Sequence, residues 1–531
     1  MRLTTAILFA FALTLHAAAP APVADAAQAG DRALVRSLLA KKADVNAPQG
    51  DGMTALHWAS SHDDLVLAKA LLASGANPNA STRLGSITPI FVASQAGSAP
   101  MANLLAGSGA DVNAANSTGI TPLMMAAAAG SVEAIDALLK HGAGINAKET
   151  AHEQTALMFA AAKNRGPAIR ALIAKGAEAN AATKVTRVER MRFDDVGAIP
   201  LELPALPVAG ETPGAVPAMP RREFGANLAG GTTALLYAAR DGAMEAIIAL
   251  VESGADVNRF NGSENLSPMV MAISNGHFDI AKVLLDHGAD PNLATNQGLT
   301  PLYGALDVQW SPHAWYPEPV VEQEQVSYLE LMQALLAHGA NVNAALRSKP
   351  WFRTTSHDAT WVDPAGATAF WRAAQATDVE AMKLLLAAGA DPKLATTEGV
   401  TPLMAAAGLG WGWNFSVGAP EAWLGATRYC LELGLDVNTA DTKGQTALHG
   451  ASYVGDNALV QLLVDHGANI KAITKEGNTV ADMANGPNRF GIPHAETAAL
   501  LEKLGSANSH NCRSDTCLVA PTQDKKPVSP R

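Results

Sequence analysis

Apolar residues run along this chain at helical spacing in short stretches, each stopped by a glycine and then resumed. Residues 121–147, TPLMMAAAAGSVEAIDALLKHGAGINA, show the unit most clearly. Thr121 reads as a helix N-cap, its hydroxyl accepting an orphan backbone N–H, and Pro122 takes the first helical position, where no donor is lost. Leu123–Ala129 predicts a short alanine-heavy helix broken at Gly130. Ser131–Lys140 predicts a second, with Val132, Ile135, Leu138 and Leu139 sharing its apolar face. Gly142 then ends it, because glycine alone adopts the left-handed cap without strain. Neither helix buries its face unaided, so the unit needs neighbours.

The neighbours are in the sequence. The opening recurs as TALHWA from Thr54, TPIFVA from Thr88, TALMFA from Thr155 and TALLYA from Thr233. It continues as SPMVMA from Ser267, TPLYGA from Thr300, TAFWRA from Thr368, TPLMAA from Thr401, TALHGA from Thr446 and TVADMA from Thr479. Most neighbours lie 33 or 34 residues apart. A closing motif keeps step: GANPN from Gly75, GADVN from Gly109 and Gly254, GADPN from Gly288, GANVN from Gly339. These two motifs resemble the ankyrin repeat family over roughly residues 23–505, as in exported bacterial ankyrin repeat-containing proteins. The resemblance implies an all-α solenoid of about twelve helix pairs with short hairpin-like fingers. It also implies a binding scaffold, whose inner helices and fingers form a concave groove for another protein. In that family His57 and His449, in TALH, tie neighbouring turns together. His141, His287, His338, His466 and His277 likewise hold consensus positions.

At 531 residues a compact fold would split into several domains, whereas a solenoid grows by adding repeats. Charged residues make up 16 % of the chain and the formal net charge is −11, which disfavours a nucleic-acid partner. At the start, Arg2 precedes an uncharged run from Leu3 to Leu15 and then HAAAPAPVADA. This predicts an export signal over residues 1–19, cleaved between Ala17 and Ala26. The run is short of the ~20 residues a membrane span needs. The mature chain is therefore expected to be soluble, periplasmic or secreted, without a membrane span.

The repeat also serves as a ruler for departures. Repeats one to five occupy residues 23–182 and an insertion follows over 183–231, proline-rich and flanked by arginines. It reads either as a surface loop or as a docking arm. Repeats six to twelve occupy 232–505 and are interrupted at 308–326, 346–366 and 409–422. Residues 506–531 form a polar tail expected to be disordered. Eight of the nine tryptophans fall between residues 310 and 423. Candidate partner-binding residues are Trp310, Trp315, Tyr316, Trp351, Phe352, Trp361, Trp411, Trp413 and Phe415. Tryptophan offers a large rigid face with a polar N–H. These rings could anchor a protein partner, stack a carbohydrate or cell-wall ligand, or supply the insertions with a local core.

Catalytic chemistry is weakly represented. His313, His357, Asp358, Asp363 and Glu318 sit in the insertions, but no HExxH, GxSxG or GxxxxGK[ST] occurs. A hydrolase or metal enzyme using those histidines is the least favoured alternative, and neither enzyme activity, metal nor cofactor is expected. Cys512 and Cys517 can close a small disulfide loop, and Cys430 falls in a helix as a small apolar residue. Some exported ankyrin proteins carry a C-x-x-C-H haem motif; CRSDTC does not match it.

Overall fold

The computed structural model of the chain describes residues 21–188, 227–311, 319–350, 362–411, 418–419, 422–488, 491–514 and 517. Helices come in consecutive antiparallel-type pairs. The first five are α1 (Pro22–Gln28) with α2 (Arg32–Ala40), α3 (Ala55–Ser61) with α4 (Leu65–Ala73), α5 (Pro89–Gln95) with α6 (Ala99–Gly107), α7 (Pro122–Ala129) with α8 (Val132–Lys140), and α9 (Ala156–Ala162) with α10 (Gly166–Ala174). Next come α11 (Ala234–Arg240) with α12 (Met244–Glu252), α13 (Pro268–Ser274) with α14 (Phe278–Asp286), α15 (Pro301–Gln309) with α16 (Tyr328–Ala337), and α17 (Ala369–Gln375) with α18 (Val379–Ala387). The last three pairs are α19 (Pro402–Ala406) with α20 (Ala422–Glu432), α21 (Ala447–Val454) with α22 (Asn457–Asp465), and α23 (Val480–Met483) with α24 (Ala495–Leu504). Among the described residues this makes an all-α solenoid of twelve pairs. Its contacts fall into two units, Met1–Thr183 with Ile248–Ala255, and Lys184–Ile247 with Asp256–Arg531.

In the first unit, first helices stack on first helices: α7 lies between α5 and α9, while α8 lies between α6 and α10. Thr121 caps α7 by accepting from the Met124 N–H, Gly130 takes φ 85° at its end, and Ser131 caps α8 by accepting from Ala134. The buried stripe of α8 differs from the expected one. Ile135 and Leu138 are buried as anticipated, but Ala134 and Ala137 complete the stripe while Val132 and Leu139 are only partly covered. Alanine lets adjacent helices approach closely, so the small residues face the stack and the larger ones straddle its edge. Each fully buried Leu or Ile contributes about 1.5–3 kcal/mol.

Asparagine joins the fingers. The Asn113 amide donates to the Gly142 carbonyl and accepts from the Gly144 N–H, which pins the next repeat at both points. Asn46, Asn79 and Asn146 do the same in the first unit. Asn258, Asn292, Asn343 and Asn438 repeat the device in the second. Lys393 stands at the equivalent position of the ninth repeat and cannot act as an acceptor.

In the second unit, first helices again stack in order from α11 through α13, α15, α17, α19 and α21 to α23. The insertion that begins at residue 183 leaves the finger as a short antiparallel ribbon, β1 (Thr186–Val188) paired with β2 (Asn227–Ala229). At Gly230, with φ 106°, any Cβ would run into the Lys184 carbonyl oxygen. Of the tail expected over 506–531, residues 506–514 are hydrogen-bonded to the last repeat, while 515–516 and 518–531 lie outside the described residues. The Asp482 carboxylate accepts from the backbone and hydroxyl of Ser509, Thr479 donates to the Ala507 carbonyl, and Ser506 and Ser514 are buried. Serines and a turn carboxylate thus give a polar segment enough partners to dock on the last repeat.

Candidate binding surfaces

Three arrangements carry functional potential. The first comes from the fifth residue of each repeat opening. In four consecutive repeats of the first unit that residue is Trp58, Val92, Met125 and Phe159, each only partly covered between buried neighbours. Because α3, α5, α7 and α9 stack in register, equivalent positions form a row, about 10 Å apart by ordinary helix packing. In the second unit Tyr237 and Met271 hold the same position, likewise only partly covered, but Gly304, Arg372, Ala405 and Gly450 follow and are buried. A side chain at Gly450 would strike the backbone of Ala407 and Leu409.

The second arrangement surrounds Trp310, at the end of α15. Its indole N–H donates to Asp378 at 2.8 Å, and the Tyr328 hydroxyl donates to the same carboxylate oxygen at 2.7 Å. The two rings meet edge to face at 6.0 Å. Burial, then the hydrogen bond and charge of Asp378, push the Tyr328 phenol well above its usual range. Asp378 turns its other oxygen to the Ala381 N–H as the N-cap of α18. Arg372 donates to Asp307 and to the Trp310 carbonyl, both at 2.6 Å, and this ion pair is buried. Trp310 is therefore a clamp that fixes the end of α15 against α18. Trp371 is fully buried and donates to the Val400 carbonyl, a core residue.

The third is a cleft of about 350 Å³ lined by Thr377, Trp411, Gly418, Ala419, Trp423, Leu424 and Asp456. The Trp411 and Trp423 rings stand at 66° with centroids 4.6 Å apart. Glycines make room for them. A Cβ at Gly408 would come within 2.9 Å of the Trp423 ring, and one at Gly418 within 3.1 Å of Trp411. Ala419 donates to the Ala376 carbonyl, which seats this wall on the ninth repeat. Asp456 caps α22 with one oxygen, accepting from Ala458 and Leu459, and makes no ion pair among the described residues.

Sequence models described as "Ankyrin repeats (3 copies)" match residues 23–116, 90–183 and 217–295, and one described as "Ankyrin repeats (many copies)" matches 431–484. Together they cover more than half of the chain. It belongs to the ankyrin-repeat family. Among curated relatives, a mouse B-cell lymphoma 3 protein homolog is 35 % identical over 14 % of this chain and 17 % of its own length. Human ankyrin repeat and SOCS box protein 16 is 35 % identical over 44 % and 43 %. The rice "Probable E3 ubiquitin-protein ligase XBOS33" is 28 % identical over 47 % and 41 %. The chain spans less than half the length of these relatives, all from mammals or a plant, so the likeness carries the repeat and gives no support to a bacterial, exported origin.

Within this ankyrin frame the histidines act as fasteners. His57 is buried, with Nδ1 against Thr54 and Nε2 within 2.9 Å of the Ile87 carbonyl of the next repeat. Nδ1 of His287, His338 and His466 each meets a carbonyl four residues earlier at 2.8 Å, tying down helix ends. Burial pushes the Cys430 thiol up to about 12, so it is inert filler. Cys512 and Cys517 form a disulfide. Of the candidate residues, Trp310 and Trp411 are placed as above. Trp315, Tyr316, Trp351, Phe352, Trp361, Trp413 and Phe415 lie outside the described residues, as do His313, His357, Asp358 and Glu318. Asp363 caps a turn by accepting from Ala365. Sequence reasoning missed the row from Trp58 to Phe159, whose signal was the variable fifth letter in an otherwise repeated opening. It also missed Arg372, a charged residue at that same position.

Proposed function

We propose that the chain is an exported, non-catalytic ankyrin scaffold that holds a partner polypeptide, with the tryptophan-rich insertions from Trp310 to Trp423 adding specificity. One observation carries the partner reading: the partly covered row Trp58, Val92, Met125 and Phe159 on successive first helices. Four apolar side chains that are only partly covered, in register between buried neighbours, suit an interface, which is rich in aromatic and methionine anchors. The test is affinity capture with wild-type protein and a Met125→Arg, Phe159→Arg double variant, alongside a chain trimmed of residues 312–318, which keeps α15, Trp310 and the contacts of Glu324 to Val326. The double variant is expected to lose its partners. Identical partner sets from all three would defeat both parts of the reading.

Carbohydrate binding is the weaker alternative. A sugar platform needs coplanar rings, and Trp411 and Trp423 stand at 66°. Export rests on the charged start and uncharged run of residues 1–19 and on a disulfide suited to an oxidising compartment. The burial of Ala21 and of the α1 residues Val23, Ala24, Ala26 and Ala27 supports cleavage ahead of Ala21 in this reading. Mass measurement of the mature N-terminus checks this. A start inside α1, or an intact Met1, would refute it.

A further inference from the structure

We infer that the cleft between Trp411, Trp423 and Asp456 is a binding site for an organic ammonium cation. The inference shares the insertion-rich segment with the partner reading but does not need the row on the first helices, so either can fail without the other. Three features point to this chemistry. The walls are two indoles at a steep angle, which form a corner. Indole faces carry negative quadrupole potential and attract cations most strongly of the aromatic side chains. The lining includes Asp456, whose carboxylate caps α22 with one oxygen and has no basic partner among the described residues. The Thr377 hydroxyl already donates to the Ala376 carbonyl, so it turns acceptor lone pairs, not its proton, to any occupant. A corner of π-faces with a carboxylate and an acceptor hydroxyl suits a positive charge carried on alkyl groups.

Size narrows the class. About 350 Å³ lies at the low end of the range for small-molecule sites and suits a compact head such as a quaternary or alkylated ammonium. The site is also built rather than accidental. Gly408 and Gly410 both hold φ of 90°, and Gly408 and Gly418 lie where a side chain would displace the rings. Asp456 is held by two backbone donors of α22.

The test is calorimetric titration of the full-length protein with choline, with its neutral carbon isostere 3,3-dimethylbutan-1-ol, and with N-acetyl-lysine methylamide. Choline is expected to bind and the isostere to bind at least tenfold more weakly. Asp456→Asn keeps the helix cap, because asparagine caps as well as aspartate, yet removes the charge. It should weaken choline about tenfold, as should Trp411→Ala, with circular dichroism unchanged. Tighter binding of the lysine derivative than of choline would assign the cation to a partner's side chain, and weaker binding to a free quaternary ammonium. Either supports the ammonium site. Equal binding of choline and its isostere, no binding of any probe at millimolar concentration, or full choline affinity in Asp456→Asn would overturn it.

Discussion

A single imidazole shows how much this scaffold depends on dry, fixed contacts. His449 is fully buried, and burial pushes its pKa from 6.5 down to about 4, while the Asn478 backbone opposes this without completing a hydrogen bond to Nε2. Its fellow His57 is lowered for the same first reason, but there the Ile87 carbonyl supplies the missing partner. The sign of the pH effect follows. The unfolded chain binds a proton on His449 more readily than the folded one, so the native state is favoured in full above about pH 6.5 and loses ground as pH falls toward 4. Between pH 7 and pH 4.5 the loss should be on the order of 2 kcal/mol. Urea unfolding at the two pH values measures it in wild type and in His449→Gln. The variant should start less stable at pH 7 and change less with acidification. An equal pH dependence in both proteins would remove His449 as the cause. None of this could be read from the sequence, where TALH looks the same in both repeats. The difference lies in what the following finger offers to Nε2.

At the scale of the element, the finger ladder has missing rungs, at Lys393 of GADPK and at Lys471 of GANIK. Eight asparagines each donate to the glycine carbonyl and accept from an N–H of the following repeat, and the ninth repeat offers Lys393 instead. Lysine can donate but not accept, so the junction toward Gly434 and Asp436 lacks the double clamp. This junction adjoins the pair α19 and α20, where the chain is also interrupted and α19 is cut to five residues. Lys393→Asn should restore its rung and add about 1 kcal/mol, the net worth of such exposed hydrogen bonds. Hydrogen exchange at residues 434–438 should slow as a result, and unchanged or faster exchange there would refute the idea. Legibility divides along the same line. Pairs, caps and glycine stops could be read from residues 121–147 because they follow from local propensity and a repeated pattern. The burial of Val132 and Leu139 could not, because it depends on how closely alanines let the next helix approach. The candidate tryptophans were visible as a cluster, but their fates were not. Trp310 and Trp411 lie within one insertion-rich segment, and only the positions of Asp378 and Gly418 decide that one is a clamp and the other a cleft wall.

Across the whole molecule, stability in a repeat stack is a sum of repeat terms and nearest-neighbour interfaces, so damage at an end should decay inward instead of unfolding everything. The C-terminal end is closed by two devices. Helix α24 covers α22 and α23. The segment 506–514 is held by Asp482, whose carboxyl lies below its usual range: burial opposes ionisation, but the hydrogen bonds from Ser509 and Thr479 outweigh it. Removing residues 491–531 exposes the faces of α22 and α23 that Leu501 and Ala498 cover, and α23 is itself only four residues long. A helix that short has no stability without its neighbours. The truncated protein should therefore lose amide protection in α21, α22 and α23, while α13 and α14, several interfaces away in the same unit, keep theirs. Hydrogen exchange with mass spectrometry distinguishes the outcomes. Loss of protection in α13 and α14 together with α21 would mean that the second unit folds as one cooperative body, and the nearest-neighbour picture of this stack would have to be abandoned.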